Sequence, residues 1–519
     1  MKSKPIYLTL FFLFFIATVF VFAQKLTAIP NNLDSMERWS LKKDPIYPLK
    51  TRTFHSFVCS GITYVNDQQV PFWLRSMRYG AIPQEGMSAS LFAGAFKDYN
   101  LERNNKLLDW SAGFEIYGNA GKKLNTHFIQ AYAKGRFGIF QLIIGRTKDM
   151  IGLVDSSLST GAFAISGNAL GIPKIEISNP EFWAPLLTGQ LIAFKGSFSH
   201  GWMGDAYSAT SELMHRTFLH HKALYGRFGK SHWRIKLYGG FNHQAMWGSE
   251  KEMYAASGID LGIDNWEAYK YVFIGKAYGT DLIPSSKIGN HLGSIDQALE
   301  LNLKTIQLFA YHQFYYEAGA LAKLANIKDG TWGLSIKNTV NNKTIFCWKK
   351  ILAEFIHSTS QGGELDAPTR PSGWEDYYNN FQYTDGWIYE GENIGNPLFS
   401  SRKYIRSQLP QSKNIANNRL TALHLAFLGG YKKLMFITRL TFSKNYGIYN
   451  HYPAHRGRGT EIIRNPPPYF MHVYQFSCFF GVSKSIKKGF EIEGALAVDQ
   501  GGLLYNSIGG YVRLIKRIK

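Results

Sequence analysis

One apolar run opens this chain, and no second run like it follows. Ile6 to Phe22 is almost wholly apolar behind Lys2 and Lys4, and Val21-Phe22-Ala23 offers a cleavage site before Gln24. Residues 1–23 therefore read as an export signal. Read instead as an uncleaved anchor, the run sits near the lower length limit for a membrane helix. Beyond Ala23 no stretch is long enough to cross a bilayer as a helix, so the exported chain is either soluble or crosses by strands in a closed barrel. Cleavage removes two lysines and no acid, which takes the formal charge from +21 to +19. An exported chain does not normally meet nucleic acid, so this charge needs another partner, such as an anionic surface or an acidic polymer. Three widely spaced cysteines, Cys59, Cys347 and Cys478, exclude a disulfide scaffold and a clustered cysteine metal site.

Strand periodicity favours the barrel. Trp233, Ile235 and Leu237 alternate with His232, Arg234 and Lys236. Leu299, Leu301 and Leu303 alternate with Glu300, Asn302 and Lys304, and Trp332, Leu334 and Ile336 with Gly333, Ser335 and Lys337. Phe490, Ile492, Leu496 and Val498 oppose Glu491, Glu493, Ala495 and Ala497, and near the end Val512 and Leu514 oppose Tyr511 and Arg513. One face is aliphatic and aromatic, and the other carries charges and small residues. That division suits lipid outside and a wet lumen inside.

Connection lengths point the same way. Short turns are expected at Gly229-Lys230, Asn341-Asn342, Gly429-Gly430 and Ser485–Lys488, with longer connections at 241–267, 358–418, 443–469 and 500–506. Alternating short and long connections match periplasmic turns and outer loops. The reading is an all-β transmembrane barrel of 14 to 20 antiparallel strands, with 18 favoured, over 52–519, carrying a long extracellular loop at 358–418. The polar, proline-bearing stretch 24–51 is expected as a periplasmic or plug segment. It holds a short helical candidate at Asn32–Trp39.

Two segments carry a family resemblance. Ser157–Asp205 contains Ser166-Gly167-Asn168-Ala169, Pro173-Lys174-Ile175 and His200-Gly201-Trp202. Asp376–Phe399 contains Tyr377-Tyr378-Asn379 and the spaced Gly386, Trp387, Tyr389, Gly391, Gly395 and Pro397. With the export signal and the barrel pattern, these resemble the Wzi-type capsule-assembly proteins, in particular their Bacteroidetes branch. The resemblance implies an outer-membrane barrel of about eighteen strands. It also implies a non-enzymatic, lectin-like role in attaching or assembling capsular or other surface polysaccharide in a Gram-negative cell envelope.

Candidate binding residues divide into rings and cations. Trp183, Trp202, Trp374, Trp387 and Tyr389 either stack on sugar faces or belong to the membrane-interface belt. Arg146, Lys148, Arg227, Arg234, Lys236 and Arg513 either hold carboxylates of an acidic polysaccharide in the lumen or pair internally with residues such as Glu115, Glu491 and Glu493. Gly161, Gly167 and Gly171 either admit a sugar or serve turns. Lys174 and Glu176 share a strand face and are placed to pair. No His-Glu-x-x-His, Gly-x-Ser-x-Gly or phosphate-cradling glycine loop is present, so no catalytic residue, metal or cofactor is expected. The clustered His215, His220 and His221 read as solvated loop residues. Partners are outer-membrane lipid and surface polysaccharide, without nucleic acid, around a monomer. The rival reading is a porin or diffusion channel for sugars or anions. Either way the protein is expected to fractionate with the outer membrane and to begin at Gln24 by mass spectrometry. Recovery as a soluble periplasmic or secreted species would contradict the strand reading.

Overall fold

The computed structural model describes residues 54–518, apart from 67–68, 82–85, 101–106, 123, 208–212, 257, 282, 284, 318–323, 341–344, 362–374 and 457–461. The expected signal at 1–23, the segment 24–51 and Trp374 lie outside the described residues. The wall begins with β1 (Phe54–Val65), β2 (Ser88–Lys97), β3 (Leu108–Ala120), β4 (Leu124–Phe137), β5 (Phe140–Arg146) and β6 (Lys174–Trp183). It continues with β7 (Ile192–Tyr207), β8 (Leu213–Phe228), β9 (Ile235–Trp247), β10 (Asn290–Asn302), β11 (Ile306–Tyr316) and β12 (Gly330–Asn338). It ends with β13 (Phe346–His357), β14 (Leu420–Tyr431), β15 (Leu434–Asn445), β16 (Val473–Ser485), β17 (Phe490–Gly501) and β18 (Ser507–Ile518).

These eighteen strands form one antiparallel sheet, each paired with its sequence neighbours. The sheet closes because β18 returns to β1, in a register running from Ser56 opposite Ile518 to Val65 opposite Gly509. Closure leaves no strand edge unpaired, which is what hydrocarbon demands of a strand. Among the described residues, three short helices lie in the connections: α1 (Phe72–Arg75), α2 (Glu250–Ala256) and α3 (Asn265–Ile274). This is an all-β outer-membrane barrel of porin size, as the alternation predicts.

Alternation settles which way each side chain faces. In β17, Glu491, Ala495, Ala497 and Asp499 are buried, whereas Phe490, Ile492 and Leu496 are exposed. In β18, Tyr511, Arg513 and Ile515 are buried and Val512 and Leu514 exposed. The exposed set has only lipid to cover it, and the buried set faces the interior. The longest connections, 147–173, 248–289, 358–419 and 446–472, leave one end of the barrel. Turns such as 138–139, 303–305, 432–433 and 486–489 lie at the other.

One expected turn is displaced. Gly429-Gly430 belongs to β14, and the chain reverses at Lys432-Lys433, with Lys432 at φ 53°. The glycines answer to packing. A Cβ on Gly429 would lie 2.6 Å from the Phe427 ring, which stacks on Phe436 with centroids 5.6 Å apart. The expected loop at 241–267 is likewise shifted to 248–289 and carries α2 and α3.

Leu496, 63% exposed in the middle of an outward-facing row, tests the orientation. Leu496→Arg is expected to destabilise the barrel in bilayers by about 2–4 kcal/mol, measured by reversible denaturant unfolding. The inward-facing Ala495→Ser is expected to change stability far less.

Candidate functional site

The interior is occupied by two of the long connections. Residues 147–173, between β5 and β6, and 375–417, between β13 and β14, meet inside the barrel and pack as one unit. These are the segments that hold the two sequence motifs. Trp387 donates its indole N–H to the Ala164 carbonyl at 2.8 Å. Ser166 Oγ donates to the Gly395 carbonyl at 2.6 Å, and Asn168 Nδ2 to the Asn393 carbonyl at 2.9 Å. Asn396 Nδ2 reaches Thr160 Oγ1 and the Gly161 carbonyl, each at 3.0 Å. At Gly395 any Cβ would lie 2.4 Å from the Phe163 carbonyl, so only glycine allows this approach.

An aromatic cluster forms the heart of the unit. The Phe163 ring stacks on Tyr315 of β11 at 4.1 Å and on Tyr378 at 5.0 Å, with Tyr377 and Phe399 edge-on. Phe163, Tyr315, Tyr377, Tyr378, Tyr383, Trp387 and Phe399 are all fully buried. Removing one such ring costs about 3–5 kcal/mol.

Charge-assisted hydrogen bonds latch this insert to the wall. Glu354 of β13 accepts from Thr160 N at 2.7 Å and from Tyr311 Oη at 2.5 Å. Asp155 pairs with Lys350 of β13 at 2.9 Å and accepts from Ser335 at 2.7 Å. Asp296 of β10 accepts from Leu153 N at 2.8 Å, and Arg439 of β15 donates to the Ser157 carbonyl at 3.0 Å. A further plug element, α1, buries Trp73, whose indole donates to Thr441 at 2.9 Å. Between insert and wall there is a cavity of about 30 Å³ lined by Asp149, Lys174, Ser199 and His221.

The candidate residues separate under this geometry. Trp387 and Tyr389 belong to the packed insert, and Tyr389 Oη accepts from Arg146 at 2.9 Å. Arg146 also donates to the Phe128 carbonyl at 3.0 Å. Lys148 pairs with Glu115 at 2.7 Å, and Lys236 with Glu300 at 2.9 Å. Arg227 faces inward beside the Phe182 ring. Arg234 lies in the turn before β9 rather than on the strand. Trp183 and Trp202 stand on the outer face, each 44% exposed, near opposite ends of the wall, where interface tryptophans sit. The glycines of the first motif serve close packing, as Gly161 and Gly167 both have positive φ. Lys174 and Glu176 pair as their spacing predicts. His220 and His221 are buried strand residues rather than solvated loop residues. The wall anchors Asp296, Glu354 and Arg439 escape a sequence reading, because each is an ordinary inward charge until its partner in a distant connection is known.

Among the described residues, no group of three or more His, Cys, Asp or Glu side chains is placed to hold a metal, and no helix is long and apolar enough to span a membrane. No known protein family and no curated protein matches the sequence. Solved barrels do match. They include the Pseudomonas aeruginosa proteins OprD (9% identity, 90% of this chain and 94% of that one, TM-score 0.44) and OpdL (8%, 90% and 98%, 0.43). The outer membrane protein OpdK of the same organism matches at 9% identity over 90% of this chain and 98% of that one, with a TM-score of 0.44. The lectin-like, capsule-attaching role expected above is corrected here. Among the described residues, the rings nominated to stack on sugar are enclosed in the insert, as Trp387 and Tyr389 are, or stand on the outer face, as Trp183 and Trp202 do.

Two carboxyl groups at the outer end make the insert pH-sensitive. Burial raises Glu250 of α2 above the usual carboxylate range, partly offset by hydrogen bonds from Tyr383 Oη at 2.6 Å and Gly248 N at 2.8 Å. Burial, reinforced by Glu375 and Asp376, also raises Glu317, which accepts from Asp376 N at 3.1 Å. A raised carboxyl contributes stability that is complete below its unfolded value and is lost as pH rises through its folded value. These two carboxyls therefore favour the packed insert at low pH and oppose it as pH rises. Proteolysis of 375–417 in the native barrel is expected to accelerate as pH rises above the ordinary carboxylate range. Glu250→Gln/Glu317→Gln is expected to flatten that dependence. An unchanged pH profile in the double variant would assign it elsewhere.

Proposed function

We propose that this protein is a non-enzymatic outer-membrane channel whose lumen is narrowed by an internal insert and which favours small anions. The observation that carries this reading is a set of inward basic side chains that have no acidic partner among the described residues. Arg513 is buried over the Tyr511 ring at 4.1 Å and the Phe92 ring at 5.0 Å and makes no salt bridge among the described residues. Its Nε and Nη2 have no hydrogen-bond partner among the described residues. Lys134 and Lys195 also project inward without a salt bridge among the described residues. Their neighbours Lys174, Lys236 and Lys350 are matched by acids. Unmatched cations along a constricted path favour anions, as rings of Lys and Arg do in anion pores. An eighteen-stranded wall is wide enough to hold an aqueous path once the insert shifts.

The finer expectations belong to the same proposal. The chain is cleaved after Ala23, acts as a monomer and has outer-membrane lipid as its surrounding partner. The likeness to Wzi-type proteins is kept as part of the proposal on the two motif segments, which hold one another inside the barrel.

Planar-bilayer recording tests the reading. The native protein is expected to pass a small current with an anion-favouring reversal potential. Deletion of 364–395 or Trp387→Ala should raise conductance by roughly severalfold, since losing a buried ring removes about 3–5 kcal/mol of packing. Arg513→Glu should shift the reversal potential toward cations. Silence from both the native and the deleted barrel, or cation preference in the native one, would overturn the proposal.

A further inference from the structure

The short turns at the end of the barrel that faces the periplasm differ in charge. Gly138-Ile139, between β4 and β5, and residues 184–191, between β6 and β7, hold no charged side chain. The turns β14–β15 and β16–β17 and the end of β18 carry basic side chains and no acid. Lys432 and Lys433 make the first turn, and Lys487 and Lys488 lie in the second. Alternation puts Lys484 and Lys516 on the outer side of the wall at the same level, because Ser483 and Ile515 beside them face inward. The sheet makes these six lysines neighbours. Lys484 lies opposite Leu434, the residue after Lys433, and Lys516 lies opposite Phe490. Lys516 Nζ also donates to the Lys488 carbonyl at 2.6 Å.

Among the described residues none of the six forms a salt bridge, and Glu491, early in β17, faces inward and bonds to Arg517 at 3.1 Å. Lysine is not the residue that the backbone prefers here. Lys432 and Lys488 have φ of 53° and 62°, in the left-handed region where glycine is unstrained. A turn that had only to reverse the chain would be better served by glycine. Rings and aliphatic side chains lie beside the lysines on the lipid side. Tyr431, Ile486, Phe490 and Ile518 are exposed. Lys516 Nζ stands 4.2 Å from the Phe490 ring centre, and Lys432 Nζ 5.4 Å from that of Tyr431. An apolar belt in lipid, capped by ammonium groups, sets those groups at the boundary between acyl chains and headgroups. A positive surface at that depth complements a phosphate-bearing headgroup. An acidic protein docking from the periplasm would not reach the belt.

We propose that the β14–β18 arc of the periplasmic rim binds anionic phospholipid of the inner leaflet and prefers a two-phosphate lipid of the cardiolipin type. Lys432, Lys433 and Lys484 lie at one edge of the patch and Lys487, Lys488 and Lys516 at the other, which suits a headgroup with two phosphates. The acyl chains of that lipid lie along the outward rings. The site is outside the lumen and does not depend on what passes through it.

Native mass spectrometry of the full-length protein in detergent tests the assignment, with cardiolipin, phosphatidylglycerol and phosphatidylethanolamine as probes. Cardiolipin is expected to be retained most and the zwitterionic lipid least, with the difference shrinking as salt rises. Lys487→Gln/Lys488→Gln/Lys516→Gln should lower cardiolipin retention on the order of tenfold. Arginine at the same three positions should preserve it. Lys230→Gln/Lys304→Gln, on the same rim but outside the patch, should leave it unchanged. Equal retention of cardiolipin and phosphatidylethanolamine, an unaffected triple Gln variant, or an equal loss in the Lys230 and Lys304 control would overturn the proposal. Capture of poly-glutamate in preference to all three lipids would overturn it too and assign the patch to an acidic protein. If the triple Gln variant does not fold, the three lipids on the native chain and the Arg and control variants still decide.

Discussion

A strand in hydrocarbon has no water to complete its hydrogen bonds, so every strand needs a protein neighbour on both sides. Here that requirement is met when β18 pairs with β1, and the rest of the molecule follows from it. Closure forces the period-two division of side chains into a lipid face and an interior face. It also fixes both ends of every strand at the two membrane surfaces, so all freedom lies in the connections. Eighteen strands enclose more volume than inward side chains can fill. The two connections 147–173 and 375–417 supply the missing material, with an aromatic cluster as tightly buried as the core of a soluble domain.

The interior is therefore a packed core with a polar boundary rather than an empty bore. The insert carries carbonyls, amides and carboxylates, and the wall answers with Glu354, Asp296, Lys350 and Arg439. Such groups are costly when buried alone and hold well when fully partnered. This is why the two motif segments bind each other through side-chain amides and backbone carbonyls while the wall binds them through charge. The basic groups left over, such as Arg513, give the interior its sign. Lys222, on the outer wall, instead donates to the Phe273 carbonyl of α3.

The wall was readable from sequence because its signal is local. Leu496 and Glu493, or Val512 and Arg513, declare their faces by position alone. Turn positions were readable only where chain reversal and glycine coincide. At Gly429-Gly430 the glycines make room for Phe427 and Phe436, and two lysines make the turn. The candidate site was readable as two segments but not as one object. Nothing in the spacing says that Ser166 meets Gly395 or that Trp387 reaches Ala164 across the lumen. The sequence nominates Trp387 and Tyr389 for sugar stacking and the structure packs both into the insert, because a ring that packs and a ring that stacks on sugar have the same composition.

The central claim is that the insert is a folded part of the barrel core. Backbone hydrogen exchange measures this directly. The Thr160 N–H bonded to Glu354, the Ser166 N–H bonded to the Ile394 carbonyl and the Ile394 N–H bonded to the Trp387 carbonyl are the reporters. The account predicts that in the native protein these amides exchange as slowly as those in the middle of β10 and β13. Exchange as fast as that of an exposed loop would contradict it.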